Sequence, residues 1–333
     1  MNAMHTLTDN TFGRQSNGFT MVELMIAMTI SLLLMAGVLQ IFSGSKTSYI
    51  MQEGNSRLQE NARFALGRLS HDISAAGYLG CLDSANPVRP FTNDLSDRTA
   101  ASGYDFATPL FGREGTGANG SDTISISRAS ATTGIRLTAP METPISDLQL
   151  NAADGAYLAL AQFDILVVGD CGTASVFMIT NDPTTSGGVI QHASGVIATS
   201  GPNKLQSNLN GDLGAVYGAD RASVAGAYRV GTSTYLLCNS TSGTGTSLFL
   251  NVCNAANELV EGVQDMQFVY GVNTDTVAGA DEYLNAAQVT AANQWNNIVS
   301  VRMTLTFDSI QNVPGGALTK PFVTTVRVRN RGV

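Results

Sequence analysis

A single carboxylate, Glu23, stands at the head of an apolar run that carries no other charge until Lys46. A charged side chain costs roughly 2.5 to 3.5 kcal/mol inside a bilayer by insertion scales, so a carboxylate in such a place needs a partner, and an amine is the natural one. Two further sets of residues could do chemistry. Gly18 and Phe19 meet where a polar stretch gives way to the apolar run, which makes that bond a candidate point of cleavage. Cys81, Cys171, Cys238 and Cys253 all follow the apolar run, and an even set in an exported segment suits two disulfides.

These residues need elements to place them. Phe19 to Phe42 has only Thr20, Glu23, Thr29, Ser31 and Gln40 as polar residues, and about 20 apolar residues in a helix span a hydrocarbon core. An ordinary secretory signal puts its apolar stretch before the cut. Here the cut would come first, removing residues 1–18 as a leader and keeping the membrane helix. No proline occurs between Phe19 and Asn86, and Leu58, Ala62, Ala65, Leu69, Ile73 and Ala76 recur at three- and four-residue spacing. One long helix from about Phe19 to about Ala76 is the simplest reading. Its outer half carries Glu53, Arg57, Glu60, Arg63, Arg68, His71 and Asp72, so it is amphipathic and should lay its apolar stripe on a sheet. Flexure is expected near Gly37 and Gly44, and termination at Gly77 and Gly80.

From Tyr78 the chain is rich in Gly, Ser, Thr, Asn and Ala with short β-branched runs, as in a β-rich head with long loops. Val299 to Phe307 alternates apolar and polar residues most clearly, giving one core face and one wet face. Shorter strand signals lie at Asp122–Arg128, Phe163–Gly169, Ser175–Thr180, Tyr228–Leu237, Ser247–Val252, Met266–Tyr270 and Phe322–Val328. Ser84–Gly120, Asn181–Ala215 and Gly271–Gln294 have no clear period and read as loops. The fold class is α+β: a long N-terminal helix packed on an antiparallel sheet. The expected segments are 1–18 leader, 19–44 transmembrane half of the helix, 45–78 amphipathic half, and 79–333 β-rich head.

The cysteines allow three connectivities. Cys238 and Cys253 flank neighbouring strand signals and are paired here, which leaves Cys81 for Cys171. No Cys-x-x-Cys occurs, the histidines are His5, His71 and His192, and no metal or other cofactor is assigned. His71 and His192 read as solvated side chains. The sequence has no Gly-x-Ser-x-Gly elbow, no Walker loop and no His-Glu-x-x-His helix, so an enzyme is not indicated. The formal charge is −8, and removal of residues 1–18 takes away Asp9 and Arg14 and leaves it unchanged. An acidic head argues against nucleic acid as a partner. A local cationic set, Arg302, Lys320, Arg327, Arg329 and Arg331, is either a solvated sheet face or a docking surface for an acidic subunit.

Gly18, Phe19 and Glu23 together resemble the prepilin leader of type IV pilins and type II secretion pseudopilins. The resemblance implies that a prepilin peptidase cuts after Gly18 and methylates Phe19, and that Glu23 pairs with the terminal amine of a neighbouring subunit. Asn61 to Leu66, Leu259 to Val272 and Val326 to Arg331 further resemble PilW-type minor pilins. That family often follows its Tyr-Gly-Val segment with an Asp-rich loop suited to calcium, and this chain keeps part of that pattern in Asn273, Asp275 and Asp281. The family implies an inner-membrane subunit with its head in the periplasm. It assembles with other minor pilins, primes polymerisation of the major pilin and ends near the pilus tip, where it helps to present an adhesin. Two other readings stand beside it: a J-like minor pseudopilin of a type II secretion system, and a membrane-tethered periplasmic enzyme or sensor.

Overall fold

The computed structural model describes residues 18–80, 82–83, 91–98, 104–106, 108–218, 225–243, 245–275, 277–309 and 316–330. The chain divides into two compact units, Met1–Glu53 and Gly54–Val333. Helix α1 is assigned over Met21–Ser74, without a break at Gly37, Gly44, Gly54 or Gly67. In the first unit its apolar side chains, Met21 through Phe42, are exposed. Thr29 turns its hydroxyl back to the carbonyls of Met25 and Ile26, at 3.1 and 2.8 Å, so this polar group is satisfied inside the helix as a lipid environment requires. Among the described residues α1 is the one helix long and apolar enough to cross a membrane.

In the second unit α1 buries Leu58, Ala62, Ala65, Leu69 and Ile73, the expected stripe. Gly77, at φ +73°, ends the run in the left-handed conformation that favours glycine, and its N–H donates to the Ser127 carbonyl. The strands after it are β1 (Tyr78–Leu79), β2 (Leu82–Asp83), β3 (Phe91–Asn93), β4 (Leu110–Arg113) and the long β5 (Thr123–Ala139). A middle group follows: β6 (Leu148–Leu150), β7 (Ile165–Gly169), β8 (Ala174–Met178), β9 (Val189–Ile190) and β10 (Gly226–Asn239). The last group is β11 (Thr246–Leu250), β12 (Glu258–Glu261), β13 (Val263–Val272), β14 (Glu282–Leu284), β15 (Ile298–Asp308) and β16 (Thr319–Arg327), with helix α2 (Ala286–Ala292) before β15.

β14, β13, β15 and β16 form, in that order, a four-stranded sheet that is antiparallel throughout. The larger sheet runs β3-β8-β7-β10-β5-β6-β9, with β11 and β12 attached through β10, and β4 on β5. β3 departs from the antiparallel expectation and pairs parallel to β8. The α1 stripe shares one core with Met266, Phe268, Met303 and Leu305 of the small sheet and Ile124 and Tyr235 of the large one. Fully burying a side chain of leucine size stabilises a fold by about 1.5 to 3 kcal/mol, so this stripe is a principal bond between helix and head. β7 is buried at every position: Leu166 and Val168 face a second core, and Ile165 and Val167 a third.

The eight strands expected from sequence are all present. The stretches read as loops hold short elements that had no periodic signal: β3 and β4, then β9, then β14 and α2. β4 illustrates why glycine can be required within a strand. A Cβ on Gly112 would overlap the hydroxyl of Tyr270, a fully buried ring on β13. Gly112→Ala is therefore expected to destabilise the head by about 1 to 3 kcal/mol, the usual cost of overpacking, measured as a shift in the urea midpoint of the solubilised chain.

Candidate assembly site

Thr20 initiates α1. Its Oγ1 accepts the backbone N–H of Glu23 at 3.3 Å, and its carbonyl accepts from Leu24 at 3.1 Å. Thr-x-x-Glu is the sequence pattern of a capping box, a signal the sequence reading passed over, and a carboxylate in the first turn also complements the helix dipole. The Glu23 carboxylate itself is exposed and has no partner among the described residues. Phe19 is exposed beside it. Gly18 is also exposed, and a Cβ built on it meets nothing within 4 Å among the described residues, which set no requirement for glycine at this position.

At the other end of α1 lies a buried polar cluster with no signal in the hydrophobic pattern. Asp72, one of the charged residues of the amphipathic half, is fully buried. Its Oδ1 accepts from Arg128 Nη2 of β5 and lies against His71 Nδ1, both at 3.0 Å, and its Oδ2 accepts from the Tyr235 hydroxyl of β10 at 2.7 Å. Arg68 approaches to 3.7 Å and donates to the Tyr235 oxygen at 3.2 Å. Burial pushes the Asp72 carboxyl up, but the hydrogen bonds from Tyr235 and His71 and the charges of Arg128 and Arg68 outweigh it, and the group titrates below its ordinary value. The tail of the chain completes the helix end: Arg329 N–H donates to the Ser74 carbonyl and Asn330 Nδ2 to the Ala76 carbonyl, each at 3.2 Å.

His71 is largely exposed, as expected, but His192 is buried: its ring packs on Phe177, and Nε2 lies 3.0 Å from the Ser146 carbonyl. Of the cysteines, Cys238 at the end of β10 and Cys253 beyond β11 form the expected disulfide, with Cα atoms 6.1 Å apart. Cys171 is disulfide-bonded, and its expected partner, Cys81, lies outside the described residues. The bridge between Cys238 and Cys253 closes a 15-residue separation. Chain-entropy reasoning gives such a loop about 3 kcal/mol, so replacing both cysteines by serine is expected to lower unfolding stability by that order in non-reducing denaturation.

The loop after β13 holds itself together. Asn273 Nδ2 donates to the carbonyls of Val277 and Gly279 at 2.6 and 2.7 Å, and Asp281 Oδ2 accepts from the N–H and hydroxyl of Thr274. Backbone N–H donation from Thr274, then its hydroxyl, draws the Asp281 carboxyl below its usual range. No group of three or more His, Cys, Asp or Glu residues able to hold a metal ion occurs among the described residues.

An exposed apolar helix with a capped start and a carboxylate in its first turn, followed by a sheet-rich second unit, is the arrangement expected of a pilin-like subunit. Residues 13–39 match the prokaryotic N-terminal methylation motif. Residues 227–330, from β10 through β16, match the type IV pilus-assembly protein W family, PilW. Together the two matches support a type IV pilus minor pilin of PilW type. No curated protein and no solved structure matches the chain. The methylation motif implies peptidase processing and other pilins as partners, and the apolar helix fits a membrane-anchored pilin.

Proposed function

We propose that this chain is a minor pilin that co-assembles with other minor pilins to prime type IV pilus assembly and then sits at or near the pilus tip. A prepilin peptidase removes residues 1–18 by cutting after Gly18 and methylates Phe19. Residues 19–44 hold the subunit in the inner membrane, residues 45–78 carry the helix into the head, and residues 79–333 form the head in the periplasm. On insertion into the filament, Glu23 pairs with the terminal amine of an adjacent subunit. A bridge from Cys81 to Cys171 ties the head to the helix exit. The major pilin follows below, and an adhesin is carried at the tip.

The observation that carries this reading is the state of Gly18 and Glu23. A glycine the fold does not need is accounted for by recognition from outside, and an apolar helix starting on an unpaired carboxylate is accounted for by a neighbour that brings the amine. The size of the head supports a tip position, because a head with such long loops repeats poorly in a tight helical lattice and at a tip is accommodated once. Affinity capture of the full chain from solubilised membranes tests the assignment. Other minor pilins and a large adhesin among the captured proteins support it. Type II secretion components in their place would establish the J-like pseudopilin reading.

A further inference from the structure

The four-stranded sheet ends on β16, which has β15 as its one strand neighbour among the described residues. Its register runs without a bulge from Asp308↔Thr319 to Ser300↔Arg327. Beyond the two ends of the ladder, Val328 N–H donates to the Val299 carbonyl and the Leu318 carbonyl accepts from Ser309 N–H. Because backbone groups alternate sides along a strand, the even-numbered residues aim theirs at β15. Thr319, Pro321, Val323, Thr325 and Arg327 aim theirs outward. Pro321 thus sits at a position where no ladder donor is lost, and it closes one end of the edge. Val323, Thr325 and Arg327 leave a stretch of outward N–H and C=O groups open among the described residues, with Val323 61 % exposed. Between Pro321 and Arg327 this edge is uncharged and largely β-branched, and such a stretch is a template for another strand unless something covers it.

A second observation lies on the outer face of the same sheet. A cleft of about 400 Å³ is lined by Tyr283, Ser300, Thr325 and Arg327 and by Ala278 to Ala280 of the loop after β13. Gly271 admits that loop: a Cβ there would overlap Ser300 Oγ and crowd Ala280. Arg302 stacks on the Tyr283 ring at 4.3 Å, whereas Arg327 has neither an ion-pair nor a hydrogen-bond partner among the described residues. The nearest acid on the strand pair, Asp308, is at the far end of β16 and accepts from the Thr319 hydroxyl at 2.5 Å.

We propose that β16 accepts, by strand addition, an extended segment of a different subunit that places a carboxylate against Arg327 in this cleft. The open backbone groups specify an extended chain, and the unpaired cation specifies its charge. A second copy of this chain fits less well. Pairing β16 with itself about Thr325 would gather Arg302 and Arg327 of both copies on one surface with no acid to offset them. The inference rests on the assembly reading only in taking the partner to be a co-assembling subunit.

The test places a photo-crosslinking residue at Val323 of the full chain in its native membrane and maps the adduct by mass spectrometry. The expected product joins an acidic, extended segment of one other subunit. Thr325→Pro removes an outward donor while sparing the bonds to β15, and Arg327→Glu reverses the charge. Each is expected to reduce the adduct at least about fivefold, as the loss of one net hydrogen bond or ion pair would, whereas Thr325→Val, which keeps the N–H, retains it. Protein level and the Cys238–Cys253 bridge serve as controls for folding. No adduct, an adduct to a second copy, or one insensitive to both variants would overturn the proposal. An acidic strand captured from a protein unrelated to pili would uphold it and overturn the pilus reading instead.

Discussion

A strain carrying Glu23→Ala is expected to process its leader normally and to display roughly tenfold fewer pili, the loss that follows if assembly forfeits one ion pair worth about 1.4 kcal/mol or more. Cleavage is expected to be unaffected because the residues at the proposed cut, Gly18 and Phe19, are unchanged and the carboxylate makes no contact within the described chain. The sequence pattern also offers a competing account. Glu23 occupies the fourth position of the Thr20-x-x-Glu23 capping pattern, so its loss could act by fraying the helix start. Glu23→Gln separates the two. Glutamine serves equally well in a capping box but carries no charge, so the glutamine variant is expected to be as poorly piliated as the alanine variant. Filament counts by electron microscopy, with leader cleavage followed by immunoblot, provide the measurement. Near-normal piliation in the glutamine variant would assign Glu23 to helix initiation and remove the amine pairing from the proposed mechanism.

What the sequence discloses depends on whether packing is apolar and periodic. The α1 stripe and the alternation of β15 are both, and each appears where expected. The segment 181–215 shows no period because His192, Asn203, Gln206 and Asn208 are buried in it alongside Ile190, Ala198 and Leu213. Asn208 bonds through its amide to both the N–H and the carbonyl of Met178, and Gln206 does the same for Asp97, while Leu205 and Leu209 face outward. Polar residues inside and leucines outside break the hydrophobicity pattern there. His192 was misplaced for the same reason: a polar side chain in a Gly/Ser-rich stretch reads as solvated until a carbonyl and an aromatic ring are found around it. At α2 a local signal did exist, since Asn285 and Gln288 form a reciprocal capping box. The candidate assembly site was legible because its signal is chemical: a lone charge in an apolar run identifies itself without knowledge of the fold.

The buried cluster at the end of α1 had no such signal, and its disruption is expected to give the largest change in stability. Asp72→Ala removes the one carboxylate that Arg128, Arg68, His71 and Tyr235 share, and leaves the Arg128 guanidinium mostly buried without its counter-charge. Breaking a buried pair from one side typically costs about 3 to 5 kcal/mol, against about 1.5 to 3 kcal/mol for a hydrogen bond to a charged group. Tyr235→Phe, which deletes the hydroxyl's bonds to Asp72 and Arg68 but keeps the charges, should therefore do less damage. The pH dependence follows from the depressed titration of Asp72. A carboxyl whose folded value lies below its unfolded value adds stability that is fully present above the unfolded value. That contribution fades as the pH falls below the ordinary carboxylate range and through the folded value. Denaturation of the solubilised chain at successive pH values should show this acid loss in the native protein and a flatter profile in Asp72→Ala. Because the cluster joins the last turns of α1 to β5 and β10, the same variant is expected to expose the helix exit near Ala76 to protease while the Cys238–Cys253 bridge survives. An unchanged profile and unchanged protection would mean that the apolar stripe alone holds the helix to the sheets.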